Sequence, residues 1–91
     1  MKYVLLYTSA DDIAARAPEH FPAHRARWAE FHDRGELLMI GPYRDQSAAL
    51  AVFTTRQAAE EFAQGDPFVV NGVVRSWEIK EWMEALVPEG E

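Results

Sequence analysis

The imidazole of His24 is the side chain best suited to acid–base chemistry in this sequence. The chain contains three histidines and no cysteine. His24, Trp28 and Phe31 recur at the i, i+4 and i+7 spacing of one helix face, so His24 is predicted to point toward apolar surroundings. Burial near a helix start disfavours the imidazolium and favours a neutral base at pH 7. The same pattern is also typical of a hydrogen-bonded core histidine without catalytic function.

The other two histidines are predicted to lie outside the core. His32 falls near the end of the predicted helix and is expected to be a solvated surface residue, and His20 is expected in the loop or cap before that helix. His20 and His24 could share a metal ion, but there is no His-Glu-x-x-His motif and any third ligand would be a remote carboxylate. The chain also lacks a glycine-rich phosphate loop, a Gly-x-Ser-x-Gly motif and a thiol. Neither a metal nor another cofactor is therefore expected.

Asp66 is the carboxylate with the most informative sequence context. It lies between Gly65 and the pair Pro67-Phe68, a position typical of a helix N-cap, which requires no function. In the fold predicted below, this corner lies near one end of the sheet. A carboxylate there could orient the ring of His24 and make it an effective general base. Both interpretations remain open from the sequence.

Several residues are candidates for a pocket beside His24 and Asp66. Aromatic side chains could stack on a planar substrate, and the Gly-Pro pair that closes the second strand could shape the pocket wall. The candidates are Tyr7, Trp28, Gly41, Pro42 and Phe68, with Tyr3 and Trp77 as further aromatic candidates. Aromatic residues more often belong to a core than to a ligand site, so packing is the alternative interpretation for each of them.

Length and composition limit the classes of protein to consider. A chain of 91 residues is predicted to form a single domain over residues 1–91. Hydrophobic residues make up 48% of the chain and aromatic residues 12%, a large supply for one small core, which suggests burial against another chain. The net charge of −6 argues against binding to nucleic acids or anionic membranes. No apolar run approaches the ~20 residues of a spanning helix, so a cytoplasmic, soluble protein is expected.

The apolar pattern predicts four strands and two helices. The strands are predicted over residues 2–8, 36–41, 48–53 and 73–83, with a polar reversal over 43–47. Residues 9–17 are interpreted as a loop with room for a short helical turn. The first helix is expected from about Phe21 to Gly35, since Pro18 and Pro22 are tolerated only in a first turn. The second begins with a capping box formed by Thr54 and Gln57 and ends near residue 64. Residues 67–71 are a further helical turn, and 84–91 an acidic, frayed tail.

The resulting β-α-β-β-α-β order predicts an α+β, ferredoxin-like fold. In this fold a four-stranded antiparallel sheet carries both helices on one face. The first and last strands have apolar residues on both faces, so the uncovered face is expected to be buried by a second sheet. The sequence therefore predicts a homodimer.

Four short motifs are spread over nearly the whole chain: Tyr3-Val4-Leu5-Leu6-Tyr7, His24-Arg25-Ala26, Gly35 through Gly41-Pro42, and Asp66-Pro67-Phe68-Val69 through Gly72-Val73. In this order they resemble the YCII-like (YciI-related) proteins. The resemblance implies a dimeric α+β barrel and an active site built on a histidine and an aspartate, which fall on His24 and Asp66. It also implies acid–base chemistry on small, often aromatic compounds, such as dehydrochlorination. The sequence departs from the family pattern at Arg25, where leucine is common, and in the short polar hairpin at 43–47.

Two classes of function follow as hypotheses. The first is a cofactor-independent enzyme of the lyase, isomerase or dehydrochlorination type, in which His24 is the general acid or base and Asp66 orients it. The second is a non-catalytic dimer that binds a small ligand or acts as an accessory module, with His24 as a buried, hydrogen-bonded residue. A haem- or metal-dependent monooxygenase on the same barrel is disfavoured by the lack of a ligand cluster.

Overall fold

The computed structural model describes residues 1–88 and contains one antiparallel sheet with helices on one face. The elements are β1 Lys2–Ser9, α1 Ile13–Asp33, β2 Leu37–Pro42, β3 Ala48–Phe53, α2 Arg56–Gly65, α3 Pro67–Val70 and β4 Val74–Trp82. The strands are ordered β2-β3-β1-β4, and every neighbouring pair is antiparallel. The predicted α+β, ferredoxin-like order is confirmed, with the predicted turn after α2 forming the short α3.

Helix α1 begins much earlier than the sequence suggested. It starts at Ile13 rather than near Phe21, so the predicted loop is wrong from residue 13 onward, and Pro18 and Pro22 lie inside the helix. Both prolines are exposed, as is Ala14, whose carbonyl loses its usual partner because Pro18 has no N–H. Water can therefore satisfy the backbone groups that the prolines leave unpaired. His24 consequently lies in the middle of α1, where the positive end of the helix dipole no longer acts.

The core lies between the sheet and the two longer helices. The rings of Phe31 from α1, Phe53 from β3 and Phe62 from α2 meet with centroids 5.2–6.4 Å apart. All four residues predicted to face inward from α2 are buried: Ala58, Ala59, Phe62 and Ala63. This packing fixes the position of α1 and α2 over the sheet.

The N-terminus of α2 differs from the predicted capping box by one residue. The hydroxyl of Thr55, not Thr54, accepts a hydrogen bond from the backbone N–H of Ala58 at 3.1 Å. The N–H of Thr54 donates instead to the carbonyl of Glu36 at 3.0 Å, continuing the contact between β2 and β3. Because Thr54 still belongs to this extended segment, the helix starts one position later.

The sheet face opposite the helices is apolar over β1, β2 and β3, whereas β4 places Glu78 and Lys80 on it, opposite Leu6 and Val4. Side chains alternate along each strand, so Val4, Leu6, Leu50 and Val52 point away from α1 and α2. Met39 and Trp82 extend this surface and are 57% and 45% exposed. No helix among the described residues is both long and apolar enough to span a membrane.

The beginning of the predicted acidic tail is attached to the N-terminus. The carboxylate of Glu84 lies 3.1 Å from the amino group of Met1 and 2.9 Å from Nζ of Lys2. The hydrogen bond from Lys2, followed by that from the terminal amine, lowers the pKa of Glu84 to about 2. Residues 85–88 are exposed, and the rest of the predicted tail, 89–91, lies outside the described residues.

Candidate active site

Helix α1 directs His24 toward the sheet and away from solvent. The side chain is only 7% exposed, whereas its neighbours Ala23 and Arg25 are exposed. The imidazole stacks on the ring of Phe68, with centroids 3.9 Å apart and planes inclined by 5°. Stacking on Phe68 fixes the plane of the imidazole, and its orientation within that plane depends on hydrogen bonding.

The acceptor of that hydrogen bond is Asp66, which lies between α2 and α3. Nδ1 of His24 is 2.7 Å from Oδ1 of Asp66, and the Asp66 side chain is fully buried. The same oxygen accepts the backbone N–H of Phe68 at 3.1 Å, which confirms the predicted N-cap. An ionised carboxylate can only accept hydrogen bonds, so Nδ1 of His24 donates, and Nε2 of a neutral ring keeps its lone pair. Asp66 is thus both the N-cap of α3 and a hydrogen-bond partner of His24.

Tyr7 is a third member of this arrangement, and sequence reasoning had assigned it only to the pocket wall. Its hydroxyl donates to Oδ2 of Asp66 at 2.6 Å, a contact between residues 59 positions apart that no sequence spacing could indicate. Burial, reinforced by the charge of Asp66, raises the pKa of Tyr7 well above its usual value. Tyr7 therefore remains a neutral donor. We call Tyr7, Asp66 and His24 the buried triad.

A cavity of about 380 Å³ lies between α1 and the sheet, next to the buried triad. All five predicted pocket residues line it: Tyr7, Trp28, Gly41, Pro42 and Phe68. His24 also lines it, whereas the further aromatic candidates do not. Tyr3 lies beneath the guanidinium of Arg56, at 5.6 Å, and Trp77 packs against the core.

Sequence reasoning missed the lining residues contributed by the first turns of α1. Ile13, Ala17 and Phe21 face the cavity, but they fall in the segment predicted to be a loop or its boundary with the helix. Together with His24 and Trp28 they recur every three to four residues, so the helical stripe was present in the sequence and was obscured by the two prolines. Ser9 and Gln46 are further lining residues that the sequence analysis did not single out.

The cavity is predominantly apolar. Its polar lining side chains are Tyr7, Ser9, His24 and Gln46, together with the indole of Trp28, and no charged side chain of residues 1–88 lines it. Arg25 is exposed and lies over the Trp28 ring at 5.9 Å. The arrangement places a single imidazole, a group able to transfer protons, in a largely apolar space.

The remaining histidines lie away from this cavity. His32 is exposed, as predicted, with Nδ1 2.9 Å from the carbonyl of Leu37. His20 is half-buried, and its Nε2 lies 3.7 Å from Glu19 on the same helix. Across residues 1–88, no three side chains of the metal-binding types His, Cys, Asp or Glu converge as they would around a metal ion.

Comparison with known families finds a match over most of the chain. The YCII-related domain matches residues 1–83. The chain belongs to the YCII-related family. This confirms the family resemblance drawn from the sequence motifs, and the match covers every strand and helix described above.

Proteins named YciI are relatives of this chain. Protein YciI of Escherichia coli O6:H1 is 33% identical over an alignment of 92 positions. The alignment covers 88% of this chain and 94% of that protein. Protein YciI of Shigella flexneri matches with the same identity and coverage. The similarity therefore extends over nearly the full length of this chain and of the YciI proteins.

A solved structure has a similar fold. It is the 5-chloro-2-hydroxyhydroquinone dehydrochlorinase (TftG) from Burkholderia phenoliruptrix AC1100, in complex with 2,5-dihydroxybenzoquinone. The TM-score is 0.74 at 14% sequence identity, covering 93% of this chain and 96% of that chain. At this identity the likeness establishes a common fold.

Proposed function

We propose that this protein is a small enzyme that moves protons on a small, planar molecule such as an aromatic compound, with His24 as general base and acid. The observation that carries the proposal is the 2.7 Å contact between Nδ1 of His24 and the fully buried Asp66, on an imidazole that also lines the cavity. Asp66 orients the ring and stabilises the imidazolium that forms when Nε2 takes a proton. The mechanism uses the side chains of this chain without a cofactor.

The apolar cavity supports a planar substrate. Phe21, Trp28 and Phe68 supply aromatic surface on the helix side, and Phe68 already stacks on the imidazole. Exclusion of water strengthens the interaction between an imidazolium and Asp66, because the local dielectric constant is low. Proton abstraction from a weakly acidic hydroxyl or carbon is therefore the reaction that this environment favours.

The dehydrochlorinase with the similar fold supports an elimination of this type. For a chlorinated hydroquinone, Nε2 of His24 would take the proton of the hydroxyl adjacent to the chlorine-bearing carbon and return it to that carbon. Nε2 would then take the proton of the hydroxyl para to the first one. The electron pair released would move through the ring, and chloride would leave the protonated carbon with its bonding pair. The sum is loss of HCl and formation of a quinone, so one acid–base residue suffices.

We also propose that the protein is a homodimer joined through its open sheet face. Val4, Leu6, Met39 and Trp82 present an apolar surface, and Glu78 and Lys80 of β4 lie along one side of it. A second copy would bury this surface against an identical one. Sedimentation of the wild-type protein at micromolar concentration is expected to give a dimer, and Leu6→Glu a folded monomer. A stable wild-type monomer would contradict the proposal.

Proton transfer can be tested by NMR without knowing the natural substrate. Anaerobic incubation of hydroxyhydroquinone in D₂O is expected to exchange its ring hydrogens for deuterium faster with the wild-type protein than without it. His24→Gln should reduce the catalysed rate by about 10²-fold or more, and Asp66→Asn should also reduce it. His32→Gln is the matched control, because His32 is exposed and away from the cavity.

Chloride release from 5-chloro-2-hydroxyhydroquinone provides a second assay with the same variants. Unchanged exchange and release in His24→Gln would overturn the assignment of His24 as the acid–base residue. Saturable binding of these compounds with no exchange and no release would support the non-catalytic binding module instead.

A further inference from the structure

The cavity has a second polar end, formed by the end of β1 and the hairpin between β2 and β3. Ser9 is the last residue of β1, and its N–H donates to the carbonyl of Ser47 at 3.1 Å, which ties the strand to the hairpin. Ser9 and Gln46 both line the cavity. Within the described chain, neither the hydroxyl of Ser9 nor the carboxamide of Gln46 hydrogen-bonds to another residue. Both groups are thus available to a ligand.

This end is separated from His24 along the helix. Ile13 lies at the same end as Ser9, because its N–H donates to the carbonyl of Ala10 at 3.2 Å. Ile13 and His24 both line the cavity from α1, about three turns or ~16 Å apart along the helix axis. The cavity therefore extends along α1 with a polar group toward each end.

The backbone conformation of Gln46 is one that glutamine rarely adopts. Its φ angle is 67°, and no other non-glycine residue of the described chain has a positive φ. Such a conformation favours glycine, asparagine or aspartate, and it costs other L-residues stability. The turn itself is held by Asp45, whose carboxylate accepts from both the N–H and the hydroxyl of Ser47. The left-handed position belongs to the hairpin, in which the N–H of Gln46 donates to the carbonyl of Tyr43 at 2.9 Å, and this geometry does not require a glutamine.

We propose that Ser9 and Gln46 form a second recognition point that binds an uncharged hydroxyl or carbonyl group at the end of the ligand remote from His24. The inference rests on the proposed function only in taking this cavity as the substrate site. Serine hydroxyl and glutamine carboxamide groups both donate and accept hydrogen bonds, so they suit either group. A carboxylate or phosphate there would be desolvated without a counter-charge, because no lysine or arginine among residues 1–88 lines the cavity.

The test uses pairs of probes that differ only in the group facing the second end. Hydroquinone, 2,6-dihydroxynaphthalene and 4,4′-dihydroxybiphenyl are each compared with the analogue in which one hydroxyl is replaced by methyl. The methyl analogue is favoured by a purely apolar cavity, since it costs less to dehydrate. We expect at least one diol of the series to bind the wild-type protein about three- to tenfold tighter than its methyl analogue, as one additional hydrogen bond provides.

Variants separate this inference from the proposed function. Ser9→Ala and Gln46→Gly should each reduce the preference for the diol and leave the affinity for the methyl analogue within about twofold. Gln46→Gly should also raise the melting temperature by a few degrees, because glycine relieves the left-handed conformation. Arg44→Ala is the matched control, since Arg44 is in the same hairpin but does not line the cavity.

Several outcomes would overturn the inference. A wild-type preference for every methyl analogue, or a diol preference that survives in both Ser9→Ala and Gln46→Gly, would show that these residues do not recognise the ligand. If either result is accompanied by deuterium exchange that is catalysed by the wild-type protein and reduced in His24→Gln, the proposed function stands and only the second recognition point fails. Failure of all six probes to bind the wild-type protein would contradict both.

Discussion

Replacing Tyr7 with phenylalanine tests whether the buried triad is held together as the distances indicate. The change removes one hydroxyl and leaves the ring, so packing in the core is nearly preserved. Oδ2 of Asp66, at 0% exposure, then loses the donor that lies 2.6 Å away. Hydrogen bonds to charged groups contribute ~1.5–3 kcal/mol, so Tyr7→Phe should destabilise the protein by about 2 kcal/mol. For a domain of this size that corresponds to a fall in melting temperature of roughly 10 °C.

The assay is thermal unfolding followed by circular dichroism at pH 7, with Tyr3→Phe as control. Tyr3 points to the same side of β1 as Tyr7, but its hydroxyl makes no hydrogen bond within the described residues. Tyr3→Phe should therefore unfold within a few degrees of the wild-type protein. If Tyr7→Phe is as stable as Tyr3→Phe, the contact between Tyr7 and Asp66 contributes little, and the reasoning about the buried triad is wrong.

Three further results follow from the structure. Burial raises the pKa of Tyr7, so the Tyr7 hydroxyl contributes fully to stability below pH 10 and progressively less as the pH rises above 10. The difference in melting temperature between wild type and Tyr7→Phe should therefore narrow above pH 10. The pKa of Glu84 is lowered to about 2 by Lys2 and the terminal amine, so the stability difference between wild type and Glu84→Gln should shrink as pH falls from about 4.5 toward 2 and should weaken in high salt. Phe68→Leu removes the ring stacked on His24. It should lower the deuterium exchange rate measured at a temperature where the variant is still folded, whereas the surface control Val70→Leu should leave that rate unchanged.

The fold could be predicted because its signals are local. The α2 face of Ala58, Ala59, Phe62 and Ala63 and the alternation along the strands depend on neighbouring residues, and the order of elements followed from them. The start of α1 could not be predicted in the same way. Proline is normally unfavourable inside a helix, and only the exposure of Pro18 and Pro22 in the folded protein shows why two are accepted there.

The candidate site was predictable only in part. His24 and Asp66 were selected by a helical stripe, an N-cap position and the order of family motifs, and the structure places them in contact. The contact of the Tyr7 hydroxyl with Asp66 depends on the pairing of β1 with its neighbours and on the packing of α2. Neither is a local property of the sequence. Gln46 was missed because its left-handed backbone and its place beside the cavity exist only in the folded hairpin.

The central claim is that Asp66 holds the proton of His24 on Nδ1 and leaves Nε2 to act as a base in the cavity. It is tested most directly by ¹⁵N-detected correlation NMR of the His24 ring at neutral pH, with Asp66→Asn for comparison. The structure predicts that Nδ1 carries a proton hydrogen-bonded to Asp66 in the wild-type protein, and that the Nε2 resonance shifts when a phenolic probe is added. A neutral ring protonated on Nε2, or an Nε2 resonance that bound probe leaves unchanged, would contradict the account.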